Sequence, residues 1–233
     1  SNLFAGLGKI DNSMVGALAV AAYSYMALVP IIQPPLMRLL TTEKERATPI
    51  PKASQKVPKS ALIVFPILVV VLTGIIAPKG LPLMGSIMLG NFLKMSGVVT
   101  RLTKASENEI ANVSTLFLGL AIGGTMDGHQ FLTTQTMMVF GLGLMAIITD
   151  TVGGLLLGKL WYVLSGGKMN PLVGAAGISA YPMAARIVQS EGLKANPHNH
   201  LLMNAMGANT GGQIGSVMAA SIMLAILKGL GII

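Results

Sequence analysis

Long apolar stretches separated by short polar ones dominate this chain. No formal charge occurs in residues 12–37, 60–78, 110–126, 128–149, 169–185 or 195–227. About 20 apolar residues in a helix cross a bilayer's hydrocarbon layer, and several of these stretches reach that length. A closed β-barrel is the alternative way to satisfy backbone groups in lipid, but it requires alternating apolar and polar residues. The run Ile63-Val64-Phe65-Pro66-Ile67-Leu68-Val69-Val70-Val71-Leu72 does not alternate. The pattern therefore predicts an all-α, polytopic membrane protein.

The expected first element covers Asn12 to Met37, contains Pro30 and stops at Pro34-Pro35, since proline removes a helix donor. Thr41–Lys59, with Pro49, Pro51 and Pro58, reads as an extended, mobile loop. Ser60–Pro78 is the cleanest membrane helix. Gly80–Leu93 is short and suits a re-entrant or buried segment. Thr100–Glu109 is polar and suits the interface, and Ile110–Met126 is apolar again. Gln130–Leu164 is one broken helix or two shorter ones around Asp150. His200–Leu227 is interrupted by Gly207, Gly211, Gly212 and Gly215.

Composition agrees with the pattern. The chain is 52% hydrophobic with only 10% charged residues, and its mean hydropathy is +0.70. Soluble domains carry about 25% charged residues. The net charge of +8 does not point to nucleic acid. A large share of the basic residues falls between Arg38 and Lys59, and the positive-inside rule makes 41–59 a basic cytoplasmic loop. With no aromatic-interleaved basic groove, no nucleic-acid partner is expected. The absence of cysteine excludes disulfides and thiol chemistry. Neither a Walker A loop nor a dinucleotide fingerprint is present. Lys168 precedes Met169 but is not bracketed by methionines, so no biotin attaches to this chain.

Polar groups within apolar surroundings concentrate in three places: Tyr23-Ser24-Tyr25 with Gln33-Pro34-Pro35; Asn170 to Arg186; and Asn204 to Ser216. Most of the 28 glycines suit close helix packing. The clusters Gly174–Gly177 and Gly207–Gly215 differ, because Asn, Ser, Thr and Gln accompany them. Non-helical backbone at membrane depth persists only where it lines a cavity or is buried in protein, and discontinuous helices mark ion-coupled transport. Asn170, Ser179, Asn209 and carbonyls freed by glycines are hard oxygen donors suited to sodium. Arg186 ends an apolar run. It would hold a carboxylate bidentately or, in the plainer reading, extend to lipid phosphate. Asp150 is a functional candidate by its depth, or an N-cap after a helix break. Asp127, His129, His198 and His200 read as loop residues.

At these segments the chain resembles the membrane β subunit of the biotin-dependent, sodium-pumping decarboxylases, which act on oxaloacetate, methylmalonyl-CoA or glutaconyl-CoA. The matching runs are Gly16–Pro35 (GALAVAAYSYMALVPIIQPP), Met88–Val98 (MLGNFLKMSGV), Asn170–Arg186 (NPLVGAAGISAYPMAAR) and Met203–Ser216 (MNAMGANTGGQIGS). The resemblance implies half of an inverted-repeat, elevator-like transporter fold with discontinuous or re-entrant helices. Residues 1–233 would form one integral-membrane unit, the C-terminal portion of a longer β subunit in the inner cell membrane. It implies decarboxylation of carboxybiotin, presented by a partner subunit, coupled to sodium export. The implied partners are carboxyltransferase and biotin-carrier subunits, a small membrane subunit and further copies of the chain.

Residue by residue, the resemblance places Tyr25 and Arg186 in the catalytic machinery, with Arg186 and Asn209 toward carboxybiotin. It places Asn170, Gly174, Ser179 and Asn209 around sodium. The family's membrane aspartate lies in an Asp-Gly-Pro run that would fall just before Ser1; Asp11 is not in that context, and the present stretch by itself is expected to be inactive. A sodium-coupled carrier of organic anions would use the same glycine breaks and Arg186. A plain membrane anchor would have little use for them.

Overall fold

The computed structural model describes residues 12–51, 57–124, 132–178 and 180–231. Among them the regular structure is helical: α1 (Asn12–Ala27), α2 (Val29–Leu40), α3 (Glu43–Arg46), α4 (Lys59–Ile76), α5 (Leu81–Ser96), α6 (Thr100–Ala105), α7 (Ala111–Gly124), α8 (Thr134–Leu164), α9 (Met183–Ala195) and α10 (Leu202–Gly229). Three of these, α4, α8 and α10, are long and apolar enough to cross a membrane, and the bent pair formed by Ala19–Ala27 and α2 would make a fourth span. Their outer faces are apolar. Phe65, Leu68 and Ile75 of α4 and Leu157, Leu160 and Trp161 of α8 are all exposed, as lipid-facing side chains must be. Asp127, His129, Asp11 and Ser179 lie outside the described residues.

The chain divides into two compact units, 1–20 with 53–131 and 217–233, and 21–52 with 132–216. In the first, α4 and α5 pack on each other through the turn Pro78–Gly80. A Cβ on Gly80 would lie 2.8 Å from the Ser221 hydroxyl of α10, so a larger residue at this turn would require that side chain to move. The α5 helix has 16 residues, and α6 runs through a π-helical turn, Ser106–Ile110, into α7. Lys94 and Glu107 form an exposed ion pair at 2.6 Å.

The second unit holds the polar residues. Its core joins Val29 and Met37 of α2, Ile147 and Leu155 of α8, the stretch Leu172–Ala180, and Ala184, Ala185 and Val188 of α9. Alanine recurs at the contacts, which lets backbones approach closely.

Four sequence expectations require correction. The first element breaks at Leu28 with a 47° bend, and Pro30 opens α2. Pro34-Pro35 does not end that helix, which continues to Leu40. Pro30, at the start of α2 and two residues after the bend, forfeits no bond. Pro34 and Pro35 lie inside the helix and forfeit theirs, so burial of Val29, Gln33 and Met37 is what holds it. Second, α8 is continuous, so Asp150 is no N-cap; it lies exposed near the helix midpoint. Third, α10 runs unbroken through Gly207, Gly211, Gly212 and Gly215. Lipid offers freed backbone groups no partner, so glycine's weak helix propensity is overridden.

Fourth, the proline-rich loop is folded over Thr41–Ile50. Thr42 and Glu45 make a reciprocal capping box that starts α3. Three asparagines then clamp the backbone at the end of that helix. Asn170 Nδ2 donates to the Arg46 and Thr48 carbonyls at 2.8 and 2.7 Å, Asn199 Nδ2 to Arg46 at 2.9 Å, and Asn196 Nδ2 to Ala47 at 3.2 Å.

Beside this loop, Arg38 grips Glu191 with two bonds, Nε to Oε2 at 2.8 Å and Nη2 to Oε1 at 3.0 Å, while Lys194 Nζ reaches Oε1 at 2.7 Å. Glu191 is buried. Burial works against its charge, but the hydrogen bonds and charges of Arg38 and Lys194 outweigh it and hold the carboxyl below the usual range. A lowered folded-state pKa gives stability that is complete above the unfolded value, about 4.3, and is lost as pH falls through the folded value. Thermal unfolding in detergent is therefore expected to be flat from neutral pH to about 5 with respect to this group, and to weaken below about 4. In Glu191→Gln the protein starts less stable and that acid-side loss is reduced. An identical acid limb in the variant would mean that Glu191 is not its source.

Candidate functional site

The stretch from Asn170 to Pro182 is where helix gives way. It holds a 3-10 helix, Pro171–Ala176, followed by turns up to the start of α9. Pro171 at the first position and Gly174 and Gly177 within disfavour a longer helix, and Asn170 caps the start by accepting the Leu172 amide at 3.0 Å.

Glycine makes the packing of this stretch possible. A Cβ on Gly154 of α8 would collide with the Gly174 carbonyl, one on Gly158 with the Pro171 carbonyl, and one on Gly174 with the Gly154 carbonyl. From α10, a Cβ on Gly212 would collide with the Gly177 carbonyl. Backbone thus meets backbone on both sides, and the 3-10 segment is buried at Leu172, Ala175 and Ala176.

An irregular segment in apolar surroundings leaves carbonyls that need donors. Two carboxamides supply them. Asn209 of α10, fully buried, donates Nδ2 to the carbonyls of Ala176 at 2.9 Å and Ile178 at 2.6 Å. Gln33 of α2, also fully buried, donates Nε2 to the Ala175 carbonyl at 3.0 Å and to Thr151 Oγ1 of α8 at 3.4 Å. In both cases the amide oxygen, Oδ1 or Oε1, is buried without a hydrogen-bond partner. Carbonyls as partners fix which end of each amide is nitrogen, because the reverse assignment would oppose oxygen to oxygen.

The expected site residues fall out unequally. Gly174 and Asn209 flank the irregular segment. Asn170 stands at its entrance, with its nitrogen committed to the Thr41–Ile50 loop and its oxygen to the Leu172 amide. Tyr25 is half-buried, with its ring edge-on to Phe140 at 6.5 Å and against Gly143 of α8. Arg186 lies in the first turn of α9, just beyond the irregular segment; it is exposed, and its guanidinium makes no hydrogen bond or ion pair among the described residues. His198 and His200 are exposed beside the Asn196–Asn199 turn. Thr151, not the neighbouring Asp150, faces the core. No signal in the residue order points to Thr151, and Gln33 stands out there only as one of the polar groups in the first of the three polar stretches, without a role.

Neutral oxygens alone, with no cluster of three carboxylate, histidine or cysteine groups among the described residues, suit a monovalent hard cation better than a transition metal.

Apolar helices outside, with buried amides and a glycine-packed break inside one unit, define an integral-membrane helical protein. The chain belongs to the family described as the Na+-transporting oxaloacetate decarboxylase beta subunit, which matches residues 3–227. It is 48% identical over 220 residues to the methylmalonyl-CoA decarboxylase subunit beta of Veillonella parvula, covering 94% of this chain and 59% of that protein. It is 46% identical over 217 residues to the oxaloacetate decarboxylase beta chain 2 of Salmonella typhi, covering 93% and 50%. The glutaconyl-CoA decarboxylase subunit beta of Acidaminococcus fermentans is 46% identical over 221 residues, covering 95% and 59%. The chain thus spans between half and three-fifths of the length of these relatives.

Proposed function

We propose that this chain supplies the cation path and the carboxylate-binding end of a β subunit that decarboxylates carboxybiotin and exports sodium. The observation that carries this reading is Asn209: a fully buried amide whose nitrogen is anchored on two carbonyls of the broken segment and whose oxygen is sealed from water without a partner. An amide oxygen held in this way is a hard, neutral donor of the kind sodium accepts. In this reading Gly174 and Ser179 of the same stretch add oxygens, while Asn170, whose Oδ1 already accepts the Leu172 amide, offers only its remaining lone pair.

In this reading, Arg186 receives the carboxylate of carboxybiotin as a bidentate partner. The bond between the carboxyl carbon and the biotin nitrogen breaks, CO2 leaves, and a proton is taken up on that nitrogen, with Tyr25 holding or delivering it. Biotin stays on its partner subunit. Decarboxylation provides free energy, and a difference in sodium affinity between inward- and outward-facing states turns it into transport. The partners are a carboxyltransferase, a biotin carrier, a small membrane subunit and further copies of the chain, in the inner membrane. The helices form half of an elevator-like inverted repeat with 41–59 on the cytoplasmic side.

The test is reconstitution of the full-length protein in vesicles. Sodium uptake is expected only when carboxybiotin is supplied, and labelled organic anion is not expected to cross. Arg186→Lys keeps the charge but loses the planar fork, so decarboxylation is expected to fall by at least ~10-fold, about 1.4 kcal/mol, with sodium binding intact. Movement of dicarboxylate without biotin would instead make the protein a carrier.

A further inference from the structure

The geometry points to Gln33 as a second oxygen ligand of the transported cation, supplied from α2 as Asn209 supplies one from α10. This assignment rests on the sodium path proposed above and adds a residue to it.

Gln33 lies wholly inside the second unit, within an otherwise apolar turn between Pro30 and Pro34. A glutamine retained in such a place needs partners for two donors and an acceptor. Its donors are satisfied, on Ala175 of the broken segment and on Thr151 of α8. Its oxygen is not. Rotation of the amide cannot repair this, because the oxygen would then face the Ala175 carbonyl. Thr151 is itself buried and could at most rotate its hydroxyl, at a long 3.4 Å to the amide nitrogen.

The parallel with Asn209 is close. Both residues are carboxamides on helices of the second unit, both donate to carbonyls between Ala175 and Ile178, and both leave the oxygen end sealed and unpartnered. Asn199 also donates Nδ2 to a carbonyl, that of Arg46, and leaves Oδ1 buried and bare, so what sets Gln33 and Asn209 apart is that both converge on the carbonyls of Ala175 to Ile178. An amide oxygen is a hard, neutral donor of the type sodium accepts, so a cation within reach of both would satisfy both. The anchoring of each nitrogen also fixes where its oxygen can go, which is the condition for selecting an ion by size.

The assignment is tested in the full-length protein in detergent by sodium-dependent thermal stabilisation and by binding of radioactive sodium, with choline holding ionic strength constant. Gln33→Leu keeps the bulk and removes the oxygen. The half-saturating sodium concentration is expected to rise at least about tenfold. Gln33→Glu keeps the length and adds charge, and there the half-saturating concentration becomes pH-dependent and the preference between lithium and sodium shifts. A folded Gln33→Leu protein with wild-type sodium dependence overturns the assignment and leaves Gln33 a packing residue. Should Gln33→Leu not fold, an unaltered, pH-independent sodium response in Gln33→Glu overturns it equally. Absence of any sodium response in the wild-type protein overturns the path itself, and Gln33's place with it, whereas loss confined to the Gln33 variants supports both.

Discussion

Replacing Asn209 by alanine is expected to abolish useful sodium binding. The substitution removes the bare Oδ1 and also strips the Ala176 and Ile178 carbonyls of their shared donor. Each buried carbonyl left without a partner costs about 1–3 kcal/mol. Sodium affinity measured by titration should then weaken by at least ~30-fold, equivalent to about 2 kcal/mol. Asn209→Asp is the sharper test. It has the same shape but sets a second oxygen against both carbonyls, so it is expected to be worse than alanine near neutral pH and to recover in part on acidification, when the carboxyl can donate a proton. Sodium affinity that survives Asn209→Ala, in a protein of normal stability, would remove the cation from this segment.

Gly174→Ala is expected to have the largest effect on folding. The added methyl would clash with the Gly154 carbonyl oxygen, which is backbone, so no side chain can turn aside. Overpacking of this kind costs about 1–3 kcal/mol where a core can adjust, and this one has backbone on two sides. The thermal unfolding midpoint in detergent should drop by more than about 5 °C, or the protein should fail to accumulate. Gly154→Ala meets the same carbonyl pair from the other side and should match it. Gly207→Ala is the control: nothing lies within 4 Å of its added methyl, and alanine favours the helix. Equal stability of Gly174→Ala and Gly207→Ala would mean that α8 and the 3-10 segment are not in backbone contact.

Much of this architecture could be read from residue order. Charge-free runs located α4 almost to the residue, because a membrane helix is set by length and hydropathy alone. The broken segment at 171–176 was equally legible, since proline and two glycines beside Asn170 oppose a helix whatever surrounds them. The identical argument failed at Gly207–Gly215. There the glycines stand at helical spacing on an exposed face, and only Gly212 is pressed against another backbone. What distinguishes the two clusters is the neighbour each glycine meets, which spacing along a chain does not encode. Pro34-Pro35 misled for a related reason. A helix held by packing on both sides tolerates the loss of internal bonds that would end it in isolation.

Side-chain pairing was the least legible part. The loop Thr41–Lys59 reads as mobile because proline and charge dominate it, but over Arg46–Thr48 it is anchored by asparagines more than a hundred residues away in sequence. Asp150 drew attention as a carboxylate in an apolar run, while the quieter neighbour Thr151 turned out to face inward. A one-residue difference on a helix is a rotation of about 100°, enough to exchange lipid for core.

The three asparagines that hold the Arg46–Thr48 backbone do so with uncharged bonds, and Asn170 holds the 3-10 segment with the same side chain. Loop and segment are therefore hinged through a single amide, and neither can shift by a full turn while the other stays. Because salt screens charges and leaves amide–carbonyl bonds untouched, this joint keeps its stiffness across the whole concentration range over which sodium would be titrated. If the segment holds the cation as proposed, its occupancy would reach the Arg46–Thr48 backbone through Asn170, by bonds that the salt itself does not weaken.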